Sequence, residues 1–101
     1  MTDNPNTLIV TVNSDFSLKL NRDSDYGTVD DSEKVIEKLR EVFVYRAENG
    51  ILRPNSNEVE KTVFIKAPKN INYGSVAKVV DAVKLSGAEP IGLQIDNLSE
   101  N

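Results

Sequence analysis

Carboxylates are the first candidates for chemistry in this sequence. The run Asp23-Ser24-Asp25-Tyr26-Gly27 places two acids and a glycine at alternate positions, as at the start of a calcium-binding loop. It lacks the third acid and the closing glutamate that complete an EF-hand loop. We therefore interpret the run as a solvated turn and expect no metal site.

A second acidic cluster contains Asp30, Asp31 and Glu33. Paired catalytic carboxylates need two acids in different environments that face one cleft. A simpler interpretation is that Thr28 caps a helix and the three acids lie in its first turn, where the helix dipole favours negative charge. The cluster is thus predicted to stabilise a helix and not to catalyse a reaction.

Polar residues also mark a second predicted helix. Tyr73 and Gly74 open it, and a helix N-terminus can hold an anion, although a tyrosine here also suits the edge of a core. Asp81 and Lys84 lie three positions apart, which fits either an exposed ion pair within the helix or a polar contact to a dimer mate or partner. Both pairs of alternatives stay open.

Composition excludes several classes of function. The chain has no cysteine and no histidine, which rules out disulfides, Cys/His zinc sites, thiol nucleophiles and triads with an imidazole base. Twelve Lys and Arg face sixteen Asp and Glu, so the net charge is -4, whereas duplex-binding domains usually carry a basic surplus. We expect no nucleic-acid partner, no cofactor and no enzymatic activity.

Strands and helices alternate after an opening hairpin. β-branched content and period-two alternation predict the strands, and apolar residues at three- and four-residue steps predict the helices. The predicted elements are strands 7–12 and 16–20, a helix from Thr28 to Ala47, a strand 62–66 broken by Ala67 and Pro68, a helix 73–85 capped by Asn72, and a strand 91–96. This β-β-α-β-α-β order predicts an α+β two-layer sandwich, with two helices packed on one face of a mixed sheet.

The last predicted strand has few bulky groups on one face. Gly92, Gln94 and Asp96 alternate there with apolar residues. If this strand lies at the sheet edge, its unpaired backbone can accept a strand from another chain, for dimerisation or for partner capture. The alternative is an edge protected by the polar residues 97–101, which we predict to be a disordered tail.

The second half of the chain resembles the ExbD/TolR family of biopolymer transport proteins. The family pattern is a strand ending in Lys/Arg-Ala, a Tyr-centred helix start, and a Val-rich helix ending in Asp-x-x-Lys-x-x-Gly, followed by a Gly-x-Leu-like strand. The matching positions here are Lys66-Ala67, Tyr73, Asp81, Lys84, Gly87 and Gly92-Leu93. The resemblance covers about residues 7–96 and departs from the family at Pro68-Lys69, where an acidic residue is common.

The resemblance implies a place in a membrane complex. Residues 7–96 would be a periplasmic domain, and residues 1–6 a linker from an N-terminal helix that crosses the bacterial inner membrane once and carries the proton-conducting aspartate. The protein would pair with an ExbB/TolQ-like proton channel. It would pass conformational work to a TonB- or TolA-like protein, or bind peptidoglycan as a stator, and it would form homodimers.

Two other classes of function remain as alternatives. One is a ferredoxin-like regulatory domain that binds a small molecule, and the other is an enzyme that uses carboxylates and a tyrosine. A regulatory domain needs a concave apolar pocket, whereas an interaction module needs an exposed strand edge. An enzyme needs two acids that converge in a cleft.

Overall fold

The computed structural model describes residues 6–96 of the chain. Its elements are β1 (Leu8–Val12), β2 (Leu18–Leu20), α1 (Glu33–Glu48), β3 (Val63–Pro68), α2 (Tyr73–Leu85) and β4 (Ile91–Asp96). The two helices pack against one mixed, four-stranded sheet, which confirms the predicted α+β sandwich and the order of its elements.

The sheet has the strand order β2-β1-β3-β4. β1 pairs antiparallel with β2 and parallel with β3, and β3 pairs parallel with β4. The three parallel strands all begin at the same end of the sheet, so the chain enters the domain through β1 at that end. The C-terminal ends of both helices lie at the same end, because each helix is followed by a strand that begins there. β1 is a central strand, and β2 and β4 form the two edges.

The core lies between the sheet and the helices. Strand residues at alternate positions point toward the helices, and each helix contributes one apolar stripe. The largest fully buried side chains are Leu18, Leu39, Ile65, Val10, Val12, Val35, Val63, Val79 and Val83. Burial of such a side chain stabilises the fold by roughly 1.5–3 kcal/mol in transfer free energy.

The N-terminal half differs from the prediction at two places. Phe16 is not a strand residue, because it adopts a left-handed conformation (φ 72) in the turn between β1 and β2. Thr28 is not the cap of α1. Its backbone pairs in both directions with Asp31, so the helix begins only after Ser32, and Asp30 and Asp31 precede its first turn.

The third strand runs further than predicted and ends at Pro68. A proline is tolerated at a strand terminus, where its missing N–H interrupts no ladder. Within residues 6–96, no helix is long and apolar enough to cross a membrane. The predicted tail, residues 97–101, and nearly all of the predicted linker lie outside the described residues.

Candidate functional site

The β2 edge of the sheet is closed by its own following loop. The N–H of Leu18 donates to the carbonyl of Gly27 and its carbonyl accepts from Tyr26, while Leu20 exchanges both backbone hydrogen bonds with Asp23. The loop once considered for calcium therefore satisfies the outer backbone of β2. Gly27 (φ 90) is required there, because a Cβ atom would collide with the carbonyl oxygen of Asp31.

The β4 edge is open. All of β4 pairs with β3, and within residues 6–96 no strand or loop forms backbone hydrogen bonds with its other side. An edge of this kind presents a row of unpaired donors and acceptors that can template another strand. The last strand therefore lies at a sheet edge, as the capture of another strand requires. Strand capture itself stays a prediction.

Apolar side chains line the helix-facing side of this edge. Ile91, Leu93 and Ile95 are in register with buried core residues of β3, so they point toward the helices. Ile91 packs against the core, but Leu93 is 51% exposed and Ile95 is 46% exposed. The helices therefore leave two apolar side chains uncovered beside the open backbone, and these are functional candidates that the sequence analysis did not name.

The opposite face of β4 carries the residues that were named. Gly92 lies beneath the ring of Phe64, and a Cβ atom there would approach Cδ1 of that ring to 2.7 Å. Gln94 is exposed. Asp96 ends the strand in register with Pro68, and its side chain is outside the described part of the structure. The backbone of β4 therefore brings the three candidates onto one edge.

The candidates on α2 lie apart from one another. Tyr73 opens the helix and is 83% exposed, so it does not cover the core edge. The side chain of Asn72 caps the helix by accepting from the N–H of Ser75 at 2.7 Å, which confirms the predicted cap. Asp81 and Lys84 are exposed, and no ion pair joins them among the described residues.

The acidic residues of the two clusters lie in turns and at the surface. Asp30 pairs with Lys78 of α2, with 2.6 Å between Oδ1 and Nζ, and both side chains are exposed. Among residues 6–96, no group of three or more His, Cys, Asp or Glu is placed to hold a metal ion. The acids instead serve in turns and surface ion pairs.

A buried arginine is a further site that the sequence analysis missed. Arg46 of α1 is 5% exposed, and its guanidinium donates to the carbonyls of Glu60 at 2.8 Å and Asn6 at 2.5 Å. Burial lowers the pKa of Arg46, while the nearby carboxylate of Glu60 acts in the opposite direction. The signal was its place in the apolar row of α1 with Val35 and Leu39.

One concave surface lies near the C-terminal end of α1. A trough of about 340 Å³ lies between the C-terminal half of α1, the residues that end α2, and the segment before β3. Its floor is buried at Phe43 and Ser86, whereas Arg40, Val44 and Gly87 on its walls are exposed. An open trough of this size is at the lower end of the range for small-molecule sites, which usually enclose most of the ligand.

Comparison with known proteins identifies the family. No curated protein matches the chain. The family model described as biopolymer transport protein ExbD/TolR matches residues 1–98, which is nearly the whole chain and includes all the described elements. The chain therefore belongs to the ExbD/TolR family of biopolymer transport proteins.

Proposed function

We propose that the chain is the periplasmic domain of a proton-motive-force-driven complex in a bacterial inner membrane, and that it passes conformational work to a TonB- or TolA-like partner. Membership of a biopolymer transport family supports the general role. The open β4 edge is the observation that carries the specific proposal, because a row of unpaired backbone groups recognises an extended polypeptide.

The proposed membrane attachment is supported by the family to which the chain belongs. A single N-terminal helix anchors the protein, residues 1–6 link it to the domain, and the helix pairs with an ExbB/TolQ-like proton channel. The domain itself performs no catalysis. Its part is to connect a moving membrane helix to a partner in the periplasm.

The pairing of the strands suits the transmission of force. The chain enters through β1, which pairs in parallel with β3, and β3 pairs in parallel with β4. When β1 is pulled along its axis while a partner strand is held at β4, the β1–β3 and β3–β4 hydrogen-bond ladders are loaded in shear. Because the hydrogen bonds run across the direction of the pull, they share the load and do not open one at a time.

The chemistry of the edge favours a polypeptide over peptidoglycan as its occupant. Leu93 and Ile95 present apolar surface beside the open backbone, and a strand with alternating apolar side chains satisfies both features. That strand belongs either to the TonB- or TolA-like partner or to the second copy in a homodimer. We assign it to the partner and treat the second copy and peptidoglycan as outcomes of the test.

The 101 residues contain no cysteine, so a cysteine introduced among them is unique within this part of the protein. The natural membrane-anchored protein, carrying Gln94→Cys, is crosslinked in living cells with a short thiol-to-amine reagent, with Lys34→Cys on the exposed face of α1 as the matched control. We expect a crosslink to a TonB- or TolA-like protein from the first variant alone, and we expect a protonophore to diminish it. A crosslink only to a second copy, or only to peptidoglycan, would overturn the partner assignment.

A second measurement tests the role in transport. The gene supports either energy-dependent uptake or envelope integrity, and deletion of the gene shows which of the two. Leu93→Asp should abolish that process in cells, while the level of the protein stays normal. Tyr45→Asp is the control, because Tyr45 is 59% exposed on α1, away from β4. If deletion of the gene leaves both processes intact, the proposed function is wrong.

A further inference from the structure

The trough between α1 and α2 has an unusual charge for this chain. Its lining contains two charged residues, Arg40 and Lys61, and both are cationic, although the net charge of the chain is -4. Within residues 6–96 neither forms an ion pair. Two cations are therefore available beside an apolar floor.

Arg40 is held in position by the second helix. Its Nη2 donates to the carbonyl of Leu85, the last residue of α2, at 3.1 Å. The other donors of the guanidinium have no partner among residues 6–96 and remain available for a carboxylate, which they can bind in a two-pronged geometry. Val44 and Leu85, which are 57% and 65% exposed, add apolar surface next to this group.

The sign of the charge changes beyond the trough. A neighbouring cavity of about 310 Å³ shares Val59 and Lys61 with the trough and is also lined by Glu58 and Glu89. Glu58 pairs with Arg53 at 3.3 Å. An anionic group is therefore favoured at the Arg40 end and disfavoured at the Glu89 end, so the surface has a defined polarity.

We propose that this trough is a second docking surface, which binds an acidic-apolar peptide segment of another protein. One apolar side chain fills the space above Phe43, and an adjacent carboxylate is bound by Arg40. The charge complementarity favours an acidic segment. The open shape favours a peptide that lies across the surface, because a small molecule would need a more enclosed site. The trough is at the end of the sheet where the chain enters, so this inference does not depend on the role of the β4 edge.

A titration of the isotope-labelled 101-residue chain tests the proposal. The probe is the capped peptide Gly-Glu-Leu-Glu-Gly, followed through the amide resonances of the protein by NMR. We expect shifts at Val44, Ala47 and Gly87. The control peptides Gly-Gln-Leu-Gln-Gly and Gly-Glu-Ser-Glu-Gly, which lack the charge or the apolar group, should bind at least about fivefold more weakly, and added salt should weaken the acidic probe.

Variants assign the binding to the named groups. Arg40→Gln should weaken the acidic probe at least about fivefold and remove its advantage over the Gln peptide, whereas Glu89→Gln should leave binding unchanged or tighten it. Since Arg40 also contacts Leu85, Ala47→Trp provides an independent test that fills the trough without changing its charge. Equal binding of the Glu and Gln peptides, shifts confined to other surfaces, or full binding by Ala47→Trp would each overturn the proposal.

Discussion

The guanidinium of Arg46 binds the backbone carbonyl of Asn6, two residues before β1 begins. A second N–H of the same group binds the carbonyl of Glu60, in the segment that leads into β3. One buried side chain of α1 therefore joins the two segments that precede the adjacent parallel strands. In the proposed function, this contact lies at the point where tension from the membrane helix reaches the folded domain.

Loss of Arg46 should destabilise the domain strongly. Arg46→Met leaves two carbonyls without their donors, and we expect the free energy of unfolding to fall by about 2–4 kcal/mol in urea titrations. Arg46→Lys should cost less, because one ammonium retains the charge and part of the bonding. Arg22→Met, at an exposed loop position, should stay within about 0.5 kcal/mol of the wild type. Equal midpoints for the two methionine variants would contradict the assigned role.

The two helix caps should respond differently to the same substitution. The Asn72 side chain accepts from the N–H of Ser75, so Asn72→Ala should lower the free energy of unfolding by about 1 kcal/mol. Ser32 is the N-cap of α1 but makes no side-chain hydrogen bond to the helix. Ser32→Ala should therefore change the free energy of unfolding by only a few tenths of a kcal/mol, as an ordinary surface substitution does. Thermal denaturation of both variants checks the contrast, and similar losses would refute it.

Gly92 and Phe64 should be energetically coupled. Gly92→Ala brings a methyl group against the Phe64 ring, and displacing the ring should cost about 1 kcal/mol. In a Phe64→Ala background the same change meets no ring and should become neutral or stabilising, because alanine loses less backbone conformational entropy on folding than glycine. Gly74→Ala, whose Cβ would lie 3.4 Å from the Asn72 side chain, is the control and should stabilise α2 by up to about 1 kcal/mol. A double-mutant cycle without coupling between Gly92 and Phe64 would be the contrary result.

Asp15 should make the first turn sensitive to acid. Hydrogen bonds from the hydroxyl and N–H of Ser17 lower the pKa of Asp15 below its ordinary value of 3.8. A depressed pKa contributes stability that is present above the unfolded-state value and is lost as the pH falls through the folded-state value. The stability difference between the wild type and Asp15→Asn should therefore be present at about pH 6 and shrink toward about pH 2. Ser17→Ala, which removes the principal hydrogen bond, should reduce this pH dependence, and an unchanged dependence would contradict the assignment.

Local patterns predicted most of the fold but not its exceptions. The period-two alternation in β4 and the three- and four-residue spacing of apolar residues in α2 involve residues close together in the chain, so both could be recognised in the sequence. The left-handed turn at Phe16 and the backbone pairing of Thr28 with Asp31 override local propensity, which displaced a strand start and a helix start. Asn72 was predictable because its capping partner lies three residues away.

The candidate sites depended on contacts between distant segments. Nothing near Arg46 in the sequence shows that its guanidinium reaches Asn6 and Glu60. The exposure of Leu93 and Ile95 likewise depends on the strand order and on how far the helices extend over β4. Sequence reasoning found the strand with the candidate residues, but its apolar contact surface became visible only in three dimensions.

The closure of the β2 edge by the loop from Asp23 to Gly27 limits the stoichiometry of assembly through strand addition. A sheet with two open edges can add copies at both sides and grow into a filament. Within residues 6–96, β4 is the open edge of the sheet. Pairing of two copies through β4 would therefore use the open edge of each and end at a dimer. Capture of a partner strand and dimerisation through β4 would then be mutually exclusive, and the relative concentrations of partner and domain would decide which complex forms.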